Sequence, residues 1–141
     1  MQQPIGVGLI GLGTVGAGVV SLIGDAPCSM RRRHNVAFKI CRVAVRDLDK
    51  KRPVEIDPAL LTRDAMEVVN DPNVSMVVEL TGAAASYEWI RAALERGKDV
   101  VTANKALLAE HGAELFDLAH AKGADLMFEA SVAGGITIIR S

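Results

Sequence analysis

Short runs of hydrophobic residues alternate along the chain with longer segments in which hydrophobic positions repeat at helical spacing. Runs of strand length occupy residues 5–10, 38–45, 74–80, 98–103 and 124–130. Helical spacing covers residues 17–23, 86–96 and 105–122, each followed by a glycine. A shorter helix is predicted through Val69, with Thr62 or Asp64 as its cap. Residues 46–60, which contain Pro53 and Pro58, are predicted as loop.

This alternation predicts the fold class. Strand and helix in repeated alternation are typical of an α/β fold with a doubly wound parallel sheet, the Rossmann-type dinucleotide-binding domain. The first run carries no charge, as expected of a central strand covered on both faces. The apolar face of the longest helix is predicted to consist of Leu107, Leu108, Leu115 and Leu118.

The amino-acid composition limits the residue types of the core and the classes of binding partner. Half of the 141 residues are hydrophobic but only 4% are aromatic, so the core of a single domain is expected to be aliphatic. The formal charge of −1 gives no general attraction to nucleic acid or acidic membranes, and the basic run at residues 31–34 lacks interleaved aromatics. We therefore expect neither a nucleic-acid nor a membrane partner.

Cysteine usage and the amino-terminal residues indicate the compartment. Cys28 and Cys41 are too few for a disulfide framework or a zinc site, and free thiols fit a reducing cytosol. The first apolar run has no basic segment before it and is interrupted by glycines, unlike a secretory signal. No stretch reaches the roughly 18 apolar residues of a membrane span. The sequence predicts a soluble, cytoplasmic protein.

A glycine-rich turn follows the first predicted strand. Gly11, Gly13 and Gly16 have the spacing GxGxxG and lead into the first helix. In a dinucleotide-binding turn the first glycine permits the bend, the second lets the backbone approach the pyrophosphate, and the third lets the helix pack closely. Free N–H groups at Thr14 and Val15 would face the phosphates at the positive end of the helix dipole. A turn that only packs tightly is the alternative.

The residues after the second strand bear on the choice of coenzyme. An acidic residue there accepts from the ribose 2′-hydroxyl of NAD, whereas an arginine favours the 2′-phosphate of NADP. The chain has both, as Arg46 and Asp47, followed by Lys50, Lys51 and Arg52. Because Arg46 comes first and a guanidinium matches a phosphate, the sequence favours NADP. NAD and an ordinary charged surface loop stay open as alternatives.

Several longer segments resemble the amino-terminal part of homoserine dehydrogenase. They are GLGTVGAGVV, AVRDLDKKR, VVELTG, GKDVVTANKALLAEHGAELFDLA and FEASVAGGITIIR, and the similarity runs from about residue 5 to the last residue. Enzymes of this family reduce aspartate semialdehyde to homoserine with NADPH or NADH, on the route to threonine, methionine and isoleucine. The resemblance implies that this chain is the coenzyme-binding part of such an enzyme.

The resemblance also implies roles for single residues. Thr81 and Gly82 would lie near the nicotinamide ribose, and Lys105 between the nicotinamide and the substrate. With the turn glycines included, the candidate coenzyme-binding residues are Gly11, Leu12, Gly13, Thr14, Val15, Gly16, Arg46, Thr81, Gly82 and Lys105.

A cation site and a hinge are implied as well. Glu129 would bind a monovalent cation such as sodium, with backbone carbonyls of Val132, Gly134 and Ile136. A loop cap or a pairing with Arg140 is the alternative role for Glu129. Residues 1–133 would form the NAD(P)-binding domain, and residues 134–141 would begin the connection to a substrate domain.

Lys105 is a candidate catalytic residue from its position alone. It follows the fourth predicted strand, at the edge where open α/β sheets bind ligands. An ammonium group there would polarise the carbonyl that receives the hydride, or hold a substrate carboxylate. A lysine at a helix start is electrostatically unfavourable, so function explains it better than stability. An exposed surface lysine is the alternative.

Two classes of function follow. The first is an oxidoreductase acting on aspartate semialdehyde or homoserine, a homo-oligomer at full length, of which this chain alone would bind coenzyme without turnover. The second is a stand-alone dinucleotide-binding or sensing module. A related semialdehyde or aspartate oxidoreductase is a further alternative within the first class.

Overall fold

The computed structural model describes residues 3–25 and 37–128. Over these ranges six parallel strands alternate with four helices and one 3₁₀ turn at Pro58–Leu60. The strands are β1 (Ile5–Ile10), β2 (Phe38–Ala44), β3 (Leu61–Thr62), β4 (Met76–Glu79), β5 (Asp99–Thr102) and β6 (Leu126–Phe128). The helices are α1 (Thr14–Asp25), α2 (Ala65–Asn70), α3 (Ser86–Glu95) and α4 (Lys105–Lys122).

The strands form one sheet in the order β3-β2-β1-β4-β5-β6, and every neighbouring pair is parallel. β1 and β4 are neighbours in the sheet but not along the chain, because the chain crosses from β3 back past β1. All carboxyl ends therefore lie at one edge, with the switch point between β1 and β4, where such sheets bind ligands. The predicted fold class, a doubly wound parallel α/β sheet, is confirmed.

The core lies on both faces of the sheet. Successive strand side chains point to opposite faces, so Leu9 packs on the face covered by α1, and Ile10 on the face covered by α2, α3 and α4. Val77 and Val78 of β4 divide in the same way. The buried hydrophobic side chains are aliphatic, as the composition predicts, and each large one stabilises the fold by about 1.5–3 kcal/mol.

The longest helix presents the predicted apolar face to this core. Leu107 and Leu115 of α4 are buried, and Leu108 and Leu118 pack partly buried against the same cluster. The helix ends at Gly123, whose φ of 67° is the left-handed conformation that glycine adopts readily. Within the described ranges, no helix combines the length and apolarity needed to cross a membrane.

Two local predictions differ from the structure. The sequence predicts no strand between residues 46 and 73, but Leu61 and Thr62, directly after the predicted loop, form the two-residue strand β3 and pair with Val43 and Ala44. A strand this short has no periodic signal, and it forms because β2 offers a free edge. Thr62 is thus a strand residue, and Asp64 alone caps α2, accepting from the Met66 N–H at 2.9 Å.

The first helix also begins earlier than its spacing predicts. It starts at Thr14 rather than at residue 17, since the glycine turn leads directly into the first helical residue. The Gly13 carbonyl accepts from the Ala17 N–H at 2.8 Å, which closes the first turn. The first N–H groups of α1 therefore come directly after β1, at the carboxyl edge of the sheet.

Candidate functional site

A cavity of about 620 Å³ lies at the carboxyl edge of the sheet, over the switch point. It is lined by the turn Gly11–Gly13, between β1 and α1, and by residues that follow β2, β3 and β4. Its charged lining is mostly basic, with Asp47 as the one carboxylate among the described lining residues. The basic residues are Arg46, Lys50, Arg52 and Arg63. This balance favours an anionic ligand.

Gly11 is required by the bend itself. Its φ of 102° is positive, a conformation that residues with a Cβ atom rarely adopt. Its N–H donates to the Ala44 carbonyl at 2.9 Å. A methyl group at Gly11 would also approach the Thr81 Cγ2 to 3.0 Å. The turn therefore has the conformation that the first glycine of the motif was predicted to permit.

The other two glycines of the turn differ in what surrounds them. A methyl group at Gly16 would lie 2.6 Å from the Gly11 carbonyl oxygen, so the helix packs on the turn only because no side chain is there. A methyl group at Gly13 would meet no atom of the described chain within 4 Å. Gly16 is thus needed by the fold, whereas Gly13 leaves open space beside the cavity.

The open space beside Gly13 is where the pyrophosphate of a dinucleotide would fit. A pyrophosphate on this turn would lie against the glycine backbone, close to the N–H groups of Thr14 and Val15, which as first-turn groups have no intrahelical acceptor. The helix dipole adds positive charge at the same point. Leu12 lines the cavity too, but its side chain is buried and belongs to the core on the α1 face of the sheet.

The loop after β2 carries part of the basic lining. Arg46 and Asp47 are both exposed and both line the cavity. Arg52 is held within this loop, because its guanidinium donates to the Asp47 carbonyl and, at 2.8 Å, to the Lys50 carbonyl. Arg46 has no such hydrogen bond among the described residues and is available to a ligand.

Arg63 is a basic lining residue that sequence reasoning missed. It directly follows β3, so the sheet brings it to the same edge as Arg46, which follows β2. A basic residue directly after a predicted strand is the signal that would have identified Arg63 as a candidate. Because β3 is too short to be recognised from its pattern, that signal was absent.

A buried carboxylate organises the loop after β4. Glu79, fully buried at the end of this strand, accepts at Oε1 from the Thr81 N–H at 2.8 Å and from its hydroxyl at 2.7 Å. The same oxygen accepts from the Ser86 hydroxyl at 2.8 Å and the Gly82 N–H at 3.2 Å. Oε2 accepts from the Thr102 hydroxyl at 2.8 Å. A charge-assisted network thus shapes the Thr81–Gly82 turn.

The network continues to the start of α4. The Thr102 hydroxyl accepts from the Asn104 N–H at 3.0 Å, and the Asn104 side chain caps the helix by accepting from the Leu107 N–H at 3.1 Å. The Asn104 amide also donates to the Ala83 carbonyl at 3.4 Å. Lys105, exposed, is the first residue of the helix held in this way.

Sequence reasoning missed Glu79, although a signal was present. A single carboxylate ends a strand that is otherwise apolar and buried, and a charge in such a place needs dedicated partners. Its partners come from three separate elements, so they could not be identified from the sequence. Glu79 does not line the cavity, and it acts on the site through the turn that it holds.

The predicted coenzyme residues divide into two groups in the structure. Those that line the cavity are Gly11, Leu12, Gly13, Arg46 and Thr81. Those at the same edge but outside its described lining are Thr14, Val15, Gly16, Gly82 and Lys105. The ligand roles of both groups stay predictions. Glu129, Val132, Gly134 and Ile136 lie outside the described residues, and the cation site stays a prediction as well.

Comparisons with known proteins agree with this geometry. A family model described as the NAD-binding domain of homoserine dehydrogenase matches residues 11–129. Homoserine dehydrogenase of Bacillus subtilis is 44% identical over 141 residues, 99% of this chain and 33% of that protein. The chain thus spans about a third of the length of the relatives it matches.

Solved structures show the same likeness. The crystal structure of S. aureus homoserine dehydrogenase at pH 8.5 gives a TM-score of 0.85 at 41% identity, covering 93% of this chain and 33% of that one. A hyperthermophilic archaeal homoserine dehydrogenase mutant in complex with NADPH gives a TM-score of 0.71 over 92% of this chain and 44% of that one. At 20% identity, the second comparison shows the fold alone.

Proposed function

The chain belongs to the family of homoserine dehydrogenase NAD-binding domains, and on this premise we propose that it is the coenzyme-binding part of an enzyme interconverting aspartate semialdehyde and homoserine. The whole enzyme is a cytoplasmic homo-oligomer in this proposal. When bound, the nicotinamide of the coenzyme donates or accepts the hydride. The protein's part is to bind the coenzyme, orient it, and stabilise charge on the substrate.

The observation that carries the proposal is the open space at Gly13 beside a basic cavity. Nothing within 4 Å in the described chain requires glycine there, whereas a pyrophosphate approaching the backbone does. The lining cations and the start of α1 supply the positive potential that the phosphates need.

NADP(H) is the proposed coenzyme, in preference to NAD(H). Arg46 and Arg63 follow neighbouring strands and line the same cavity, where a ribose 2′-phosphate would lie between two guanidinium groups. Asp47 is the group that would accept from the 2′-hydroxyl of NAD, but it is outnumbered by the cations around it. The surplus of positive charge supports NADP, whose 2′-phosphate gives it more negative charge than NAD.

Lys105 is the proposed catalytic residue of this chain. Its ammonium group would stabilise negative charge on the semialdehyde oxygen as the hydride arrives. The network from Glu79 through Thr102 and Asn104 supports this role, because it positions the start of α4 relative to the turn after β4. At the hinge, Glu129 with the carbonyls of Val132, Gly134 and Ile136 is proposed to bind a monovalent cation such as sodium.

Coenzyme titration tests the proposal. Calorimetry with NADPH and with NADH on the purified protein is expected to give saturable binding of both, tighter for NADPH. Saturable binding of NADH that is tighter than that of NADPH would overturn the coenzyme preference but leave the family function intact. No saturable heat with either coenzyme would contradict the proposed function itself.

A further inference from the structure

We propose that Trp89 forms the wall against which the adenine of the bound coenzyme packs. This inference rests on the proposed coenzyme function and adds the residue that holds the base. Trp89 lies on α3, the helix that follows β4, and its side chain lines the cavity. Its other side packs, partly buried, against the core between the helices and the sheet.

The composition of the cavity shows which half of a dinucleotide it suits. Its described lining comes from the end of β1 and the glycine turn, from the end of β2 and the residues after it, from Arg63 after β3, from the start of α2, and from the β4 loop with Trp89. Neither β5, β6 nor α4 contributes a described lining residue. The cavity therefore extends from the glycine turn toward the β2 side of the sheet, away from Lys105.

A dinucleotide whose pyrophosphate lies on the turn places one nucleoside on each side of it. The side with Arg46 and Arg63 takes the ribose that carries the 2′-phosphate, which is the adenosine ribose. The adenine attached to this ribose must then lie in the same cavity. Trp89 is the one aromatic residue among the described lining residues, and Ala65, Leu80 and Ala83 add small apolar contacts.

The chemistry of the indole suits this position. A planar, apolar ring held against the core presents a rigid face, and bases pack on such faces whatever hydrogen bonds they make. Stacking of this kind changes affinity by roughly 5- to 100-fold per base. Trp89 would thus add affinity for the coenzyme without selecting between NADP and NAD, a task that falls to Arg46 and Arg63.

Because Trp89 is the only tryptophan in the chain, its fluorescence reports on the cavity directly. The probes are 2′-AMP, which carries the adenine and the 2′-phosphate, and nicotinamide mononucleotide, which carries neither. We expect saturating 2′-AMP to change the tryptophan emission and nicotinamide mononucleotide to leave it unchanged. A response to nicotinamide mononucleotide alone would place the other half of the coenzyme here and overturn the inference.

Calorimetry of variants supplies the second readout. Trp89→Ala is expected to raise the Kd for 2′-AMP and for NADPH by the same factor, roughly 5- to 100-fold, and Trp89→Phe by less. Phe116→Ala is the control, because Phe116 is an exposed aromatic residue on α4 that does not line the cavity. Its Kd values should match those of the unmodified protein.

The outcomes separate this inference from the proposed function. If NADPH binds, but the tryptophan emission of the unmodified protein does not change and Trp89→Phe and Trp89→Ala keep its Kd, the role of Trp89 is wrong and the coenzyme function stands. If NADPH fails to bind the unmodified protein, the proposed function is wrong. Should Trp89→Ala not fold, as thermal melting would show, Trp89→Phe and the emission of the unmodified protein decide.

Discussion

The Glu79 carboxylate accepts a hydrogen bond from the Thr102 hydroxyl at 2.8 Å, across the neighbouring strands β4 and β5. The two residues stand opposite each other in the register of the sheet, and both are fully buried. Each also accepts hydrogen bonds from the loop that follows its strand. Glu79 accepts from the N–H groups of Thr81 and Gly82, and Thr102 accepts from the N–H of Asn104. One hydrogen bond thus joins the turn after β4, whose Thr81 lines the cavity, to the start of α4, where Lys105 lies.

Removing the carboxylate should destabilise the protein strongly. Glu79→Ala would leave buried hydroxyl and N–H donors without an acceptor, and we expect a loss of more than about 3 kcal/mol in the free energy of unfolding. Glu79→Gln keeps one carbonyl oxygen for the four donors on Oε1, and its amide can donate to Thr102, so a loss of about 1 kcal/mol is expected. Urea denaturation measures both, and equal stability of the alanine variant and the unmodified protein would refute a structural network.

Gly13 and Gly16 should separate ligand binding from folding. At Gly13 a methyl group meets no described atom within 4 Å and φ is not positive, so Gly13→Ala is expected to keep or raise stability, by about 0.4–1 kcal/mol. It should nevertheless abolish tight NADPH binding, because the methyl group would occupy the place proposed for the pyrophosphate.

Gly16→Ala is the matched control. Its methyl group would lie 2.6 Å from the Gly11 carbonyl oxygen, a backbone atom, so a loss of roughly 1–3 kcal/mol in stability is expected. Calorimetry with NADPH and urea denaturation, run on both variants, give the comparison. If Gly13→Ala binds NADPH as the unmodified protein does, the turn does not approach the coenzyme.

Arg46 should distinguish the two coenzymes. Arg46→Ala removes, at an exposed edge of the cavity, the guanidinium that we propose to contact the 2′-phosphate, a group that only NADP has. We expect NADPH binding to weaken by about 1.5–3 kcal/mol and NADH binding to change little. Calorimetric Kd values for the two coenzymes check this, and equal losses for both would show that Arg46 does not recognise the phosphate.

Lys105 should affect the chemical step in a homoserine dehydrogenase that contains this chain. If its ammonium group stabilises the developing alkoxide, Lys105→Ala lowers kcat by roughly 10²–10³, as the loss of an oxyanion donor does. Coenzyme affinity should change little, because the glycine turn lies elsewhere. A raised KM with unchanged kcat would indicate substrate binding instead, and no change in either would make Lys105 a surface residue.

Lys98 should give the stability a pH dependence in the alkaline range. Its ammonium group donates to the Val69 carbonyl at 2.5 Å and the Asp71 carbonyl at 2.8 Å, at the end of α2. Burial lowers the pKa of Lys98 below its usual 10.5, although the nearby Asp71 carboxylate opposes this. Between the two pKa values the unfolded chain binds more protons than the folded one, so stability rises with pH in that window.

Lys98→Met provides the comparison. It removes both hydrogen bonds to the helix end, and we expect a loss of about 0.5–1.5 kcal/mol at neutral pH. The free energy of unfolding, measured at several pH values below 10.5, should rise less steeply in this variant. Identical slopes for the two proteins would mean that Lys98 titrates alike in the folded and unfolded states.

Local sequence determined the elements and the turn. Uncharged apolar runs such as residues 5–10 make strands, leucines at helical spacing make the face of α4, and Gly123 ends that helix. Each depends on the geometry of a few consecutive residues, which is why sequence periodicity predicts it. The bend at Gly11 belongs here too, since its φ of 102° is a property of one residue that only glycine adopts easily.

Tertiary structure alone decided which distant residues meet. Glu79 contacts Thr102 only because the register of β4 and β5 places them opposite each other. Arg63 reaches the cavity only because β3, the two-residue strand that precedes it, pairs with β2. Trp89 lies beside the basic residues because the chain crosses the sheet between β3 and β4. Such contacts depend on strand order and on hydrogen bonds between strands, which many sequences share and no local pattern encodes.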